Sequence, residues 1–279
     1  MSSIAEAVIV GMLVMLAGTI PRNVIFAANL RILPGVPWAV PVTCIYLWFF
    51  WRYLNGDGPP TSTRRDRRTR LRANPVSRRV LAWAILAGGL GILALVLALR
   101  IASRMVVLPQ QQLPDLSRIP SFTVWSLLLT AAPVAAFVEE AAFRSYMQAP
   151  IERRHGVVPA ILITGTMFAI AHLDFTPVLW PYYVAVAAIY GIVTFLTDSI
   201  WPAILLHSAG NTYSNIDLLV HGRAEWQAAS GTAQLVWTTG IDAAFVRLSV
   251  AVVVTAVAMV CAYIKLATVA REAADSCAA

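Results

Sequence analysis

The stretch VLAWAILAGGLGILALVLAL, from Val80 to Leu99, runs for twenty residues without a charged side chain. At about 1.5 Å rise per residue, a helix of that length covers roughly 30 Å, the thickness of a bilayer's hydrocarbon core. Outward from it, apolar runs recur at Ala7 to Ile20, Trp38 to Leu54, Phe122 to Val138, Val157 to Ala171, Val178 to Leu196, Pro202 to Val220 and Ala244 to Leu266. The 279-residue chain is 59% hydrophobic and 13% charged, about half the charged share of a soluble domain. Disorder, a collagen-like fibre and an ordinary soluble enzyme are excluded. The reading is all-α: a polytopic membrane helix bundle of about eight transmembrane helices in one integral membrane domain.

The formal net charge is +7, with twenty Arg against one Lys. Eight of the arginines lie between Arg64 and Arg79. Beside apolar spans, such a cluster is explained by the positive-inside rule, so the lipid bilayer is the partner and nucleic acid is not. The segment 55–79 then reads as a soluble, mobile cytoplasmic loop, and alternation of eight spans puts both termini in the cytoplasm. Glu6, with no positive residue before it, argues for an uncleaved first span. Arg-rich, Lys-poor usage points to a high-GC bacterium, and so to a multi-pass protein of the bacterial inner membrane. Cys44, Cys261 and Cys277 have neither disulfide-framework nor zinc spacing. No internal repeat is visible, which weakens a secondary-transporter reading.

Ionisable groups inside apolar spans are costly and therefore functional by default. They gather in the second half. Glu139, Glu140 and Arg144 form E-E-x-x-x-R; Phe168 and His172 form F-x-x-x-H; His207 and Asn211 form H-x-x-x-N. Glu140 and Arg144 are four apart and share a helix face, as do His207 and Asn211. Glu139 is turned about 100° from Glu140, so the two carboxylates cannot share a task. With Arg154-His155-Gly156 as the tip of a helical hairpin, Glu140 lies sixteen residues before Gly156 and His172 sixteen after, which places them at one depth. A glutamate beside a histidine can hold and deprotonate water. A histidine and an asparagine on another helix can donate to a developing oxyanion. Alternatively, Glu140, His172 and His207 could ligate one divalent metal such as zinc. The residues leave both open, with no cofactor in the first case.

These three motifs, in this order on successive helices, resemble the CPBP family of intramembrane proteases, which comprises type II CAAX prenyl endopeptidases and bacteriocin-processing or self-immunity (Abi) proteins. The resemblance covers about Val134 to Asn215. It implies an eight-helix fold with a catalytic cavity open to the cytoplasm. It also implies Glu140 and His172 as water activators and His207 with Asn211 as oxyanion support. Both a metalloendopeptidase label and a metal-free glutamate mechanism are attributed to the family.

The organisation expected is therefore N-terminal helices over 1–120, catalytic helices over 121–220, and a C-terminal helix and tail over 221–279. The function expected is intramembrane endopeptidase action on a membrane-associated protein or peptide. The alternatives are a silent scaffold or self-immunity protein, and a proton-relaying transporter. Glu139 is given the lesser role of holding a neighbouring helix or Arg144.

Overall fold

The computed structural model describes residues 3–108, 115–173, 176–223 and 234–278. Helices carry the whole architecture, and no strand forms among the described residues. Helix α1 spans Ile4–Ile32 and is capped by Ser3, whose hydroxyl accepts from the Glu6 amide at 3.1 Å. The sequence reading ends this apolar run at Ile20, just before Pro21 and Arg22. The helix instead carries Pro21 inside it and runs twelve residues further. Within a bundle, neighbouring helices make such a proline tolerable. Buried Asn29 fixes the turn into α2 (Ala39–Leu54): its amide donates to the Leu33 and Val36 carbonyls, and its Oδ1 accepts from Ala39 N–H at 2.8 Å.

Helix α3 (Arg64–Arg70) is short, and α4 (Arg78–Met105) is the helix of the opening apolar stretch, capped by Ser77. Helix α5 (Ser121–Glu140) continues through a π-helical stretch, Ala141–Gln148, into α6 (Ala149–His155). Every residue of the π-helical stretch is buried. Gly156 then reverses the chain at φ +85, a conformation that glycine adopts without steric cost, into α7 (Val157–Ala171). The hairpin tip is therefore where the sequence places it. Helix α8 is Trp180–Thr197, α9 is Trp201–His221 with Pro202 in its first turn, and α10 is Ala243–Ala278.

Five segments are long and apolar enough to cross a membrane: Ile4–Ile32, Arg78–Met105, Ser121–His155, Trp180–Thr197 and Ala243–Ser276. Helices α2 and α7 are apolar but shorter. Helix α9 carries the polar residues of the third motif. It packs along α5, α10 packs along α4, and α7 packs along α8, so the motif-bearing helices sit together at the centre.

The arginine-rich segment departs from expectation. It is folded over one end of the bundle. Arg72 pairs with Glu152 of α6 at 3.0 Å and with Asp198 of the α8–α9 turn at 3.0 Å. Arg67 is buried and donates to Thr63 and to the Asp57 and Gly58 carbonyls. Ser145 and Tyr146 of the π-helical stretch donate to the Leu71 and Leu54 carbonyls. Guanidinium groups carry five donors each, enough to satisfy loop carbonyls and acidic helix ends together. The Gly156 turn and the α8–α9 turn lie at this same end.

Close approach of α1 to α5 rests on Gly18. A Cβ added there would sit 2.3 Å from Val138 Cγ1, beside Glu139 in sequence. Val138 is β-branched and has little rotamer freedom with which to yield. Gly18→Ala is expected to destabilise the fold by about 1–3 kcal/mol through overpacking, read as a lowered thermal midpoint in detergent.

Candidate active site

The end of α5 with the π-helical stretch that follows it, the end of α7 and the first half of α9 build the site. Across the hairpin, Phe143 and Phe168 meet edge to face at 5.4 Å; they lie thirteen residues before and twelve after Gly156. The hairpin legs thus pair almost symmetrically about the tip. A π-helical segment inside an α-helix changes which side chains share a face, and such segments concentrate at functional sites.

His172 closes α7. Its backbone N–H reaches the Ala169 carbonyl at 3.2 Å, leaving the Phe168 carbonyl to the imidazole, whose Nδ1 lies 2.8 Å away. A carbonyl only accepts, so Nδ1 carries the hydrogen there, and Nε2 is left to accept in the neutral ring. The ring is held between Phe168 (centroids 4.5 Å) and Tyr183 (4.3 Å, stacked).

His207 lies between two carboxylates. Its Nδ1 is 2.9 Å from Glu140 Oε1, and its Nε2 is 3.7 Å from Glu139 Oε2. Tyr190 of α8 stacks on the ring at 4.8 Å. An ionised Glu140 can only accept, which fixes the hydrogen on Nδ1 and turns Nε2 towards Glu139. The second oxygen of Glu140 accepts from Arg144 Nε at 3.0 Å, in a pair with no exposed surface.

A cavity of about 170 Å³ is lined by Glu139, His172, His207, Asn211, Tyr183 and Asp217, with further residues of α4, α8 and α9. At about 30 Å³ per water it has room for roughly five waters or a peptide group with one or two. Glu140 is absent from its wall and fully buried behind it. The sequence reading makes Glu140 the water activator; in the structure Glu139 lines the cavity, and Glu140 is bonded to Arg144 and His207. The reason is the rotation of about 100° between neighbours, which lets only one of them point inward.

The cavity also extends in an unexpected direction. From Glu139 and His207 it runs towards Tyr182, Arg100 and Asp217, away from the arginine-rich end. Phe143, Arg144, Met147 and Gln148 of the π-helical stretch are buried and are absent from its wall.

The metal alternative requires Glu140, His172 and His207 as ligands. Among the described residues, no group of three His, Cys, Asp or Glu side chains could hold an ion. Both Glu140 oxygens are already engaged by Arg144 and His207. Glu140, His172 and His207 therefore do not stand together as a three-ligand set among the described residues.

Residues 121–213 match the family model of type II CAAX prenyl endopeptidases, Rce1-like. The resemblance read from the three motifs is thereby borne out for that segment. No curated protein and no solved structure matches the chain. The Rce1-like segment runs from the start of α5 into α9 and holds Glu139, Glu140, Arg144, Phe168, His172, His207 and Asn211. Together with the apolar helices, it makes this an integral membrane protein.

Four residues about the site escape the sequence reading. Tyr183 and Tyr190, seven apart on α8, present their rings to His172 and His207; that spacing is the signal that could have found them. Asp217, near the end of α9, continues the stripe of His207, Asn211 and Ser214 along the cavity wall. Arg22 reads as a residue beyond the first span and lies inside α1 instead, within electrostatic reach of Glu139.

Proposed function

We propose that the protein is an intramembrane endopeptidase in which Glu139 takes the proton of the attacking water. The observation that carries this reading is the shared cavity, in which Glu139 is the free-facing carboxylate beside two histidines and an asparagine. A water between Glu139 and His172 donates one hydrogen to the carboxylate and one to His172 Nε2. Its oxygen attacks the peptide carbonyl carbon as Glu139 accepts the proton. The oxyanion forms opposite Asn211, whose Nδ2 makes only a long 3.5 Å contact to the Ala132 carbonyl and is available to turn towards charge. His207 Nε2 is the second donor when the ring is doubly protonated. Glu139 then returns its proton to the leaving nitrogen as the C–N bond breaks. Glu140 and Arg144 are positioning residues that set His207.

The substrate class follows the matched family: a membrane-associated chain cleaved near a lipidated residue. The probe is a farnesylated, internally quenched peptide with three residues after the modified cysteine, presented in liposomes. The purified protein should release fluorescence, whereas no turnover by the wild-type protein on this peptide or on acyl-anchored analogues would overturn the reading. Asn211→Ala should lower kcat by about 10²–10³-fold, the usual loss for one oxyanion donor, with little change in KM. An equal fall in the thermal midpoint would point to a structural role instead.

A further inference from the structure

We propose that Arg22 forms a carboxylate-binding subsite that reads the portion of the substrate released on the C-terminal side of the cut. The inference rests on the protease reading above and names what lies beyond the catalytic cavity.

A second cavity, of about 250 Å³, adjoins the first on the α1–α5 side. Its polar lining comes from Arg22 and Asn23 of α1 and from Asn211, Ser214 and Asn215 of α9; alanines of α5 form the floor. Asn211 and Ser214 line both cavities. A chain lying across Asn211 with its scissile carbonyl on the Glu139 side can therefore continue into the Arg22 cavity.

Arg22 is partly buried within the apolar helix α1. Among the described residues its hydrogen bonds go to its neighbour Asn23, from Nε at 3.1 Å and Nη2 at 2.9 Å to the same Oδ1. Among the described residues nothing anionic is bonded to it, and Glu139, the nearby carboxylate, lines the other cavity. A guanidinium inside a membrane bundle is costly without an anion. Its planar fork matches a carboxylate in a two-point contact, and amide and hydroxyl groups nearby can satisfy the remaining lone pairs. A carboxylate arriving with the substrate supplies that charge. It can come from a free C-terminus or from an acidic side chain, and the chemistry recognised is the same.

The test uses the farnesylated quenched peptide in three forms: C-terminal acid, C-terminal amide, and amide with Asp as its last residue. The wild-type protein should cleave the acid with a kcat/KM about 10–100-fold above the amide, the range expected for charge-assisted hydrogen bonds. In Arg22→Gln that ratio should collapse to within about threefold, and Arg22→Lys should restore part of it. Recovery of the advantage by the Asp amide assigns the site to any carboxylate; failure to recover assigns it to the terminal one. A wild-type ratio near one, or a ratio that Arg22→Gln leaves unchanged, overturns the proposal. The second outcome would make Arg22 only a counter-charge to Glu139, which affects all three peptides alike. The same three peptides are titrated against Glu139→Gln by thermophoresis. Preferential binding of the acid without any wild-type cleavage would reject the protease reading and keep the carboxylate site.

Discussion

Replacing Glu139 by Gln is expected to reduce peptide cleavage by about 10²–10⁴-fold, the range that a positioned general base contributes. The amide keeps the size of the carboxylate and loses the ability to accept a proton from water. Its side chain is 16% exposed and lines the cavity, so the thermal midpoint should hardly move. Single-turnover cleavage of the farnesylated peptide, with thermal unfolding of the same preparation, decides the matter. If Glu139→Gln cleaves at the wild-type rate while folded, the acid that activates water is elsewhere, and Glu140 returns as the candidate.

Replacing Glu140 by Gln is expected to act first on the fold. Glu140 and Arg144 have no exposed surface, and among the described residues Arg144 Nη1 and Nη2 have no partner of their own. Without the carboxylate, a buried guanidinium is left uncompensated, a change that costs about 3–5 kcal/mol. His207 also loses the group that orients Nδ1. The measurement is the thermal midpoint of the detergent-solubilised variant, with cleavage assayed below that midpoint. The double variant Glu140→Gln, Arg144→Met should recover much of the lost stability, because it removes the stranded charge as well. If Glu140→Gln is as stable as the wild type but inactive, the division of labour between the two acids fails.

The two experiments together separate neighbouring residues that one sequence motif treats as a unit. The periodicity of E-E-x-x-x-R shows that one acid shares a face with Arg144 and the other does not. Nothing in the linear pattern says which of those faces meets His172. That depends on the rotation of α5 about its own axis, and on the π-helical stretch that begins at Ala141. Likewise, Asn211 and His207 are legible as one face of a helix. That Asn211 borders two cavities depends on α1 reaching past Pro21 to bring Arg22 beside α9.

Apolar length, helix periodicity and Gly156 determine from the sequence alone that this is a bundle of membrane helices with a hairpin tipped at that glycine. The order and spacing of the charged residues within apolar runs likewise identify which helices carry the chemistry, because a charge in that setting needs a partner or a task. These are local properties, set by each segment's own period and solvent preference. Which carboxylate faces the cavity, where the arginine-rich segment docks, and towards which end the cavity extends are decided only by the tertiary structure. They follow from helix rotation, from close approaches such as Gly18 against Val138, and from long-range pairs such as Arg72 with Glu152. No single helix contains the information for them, because each requires the surface of another.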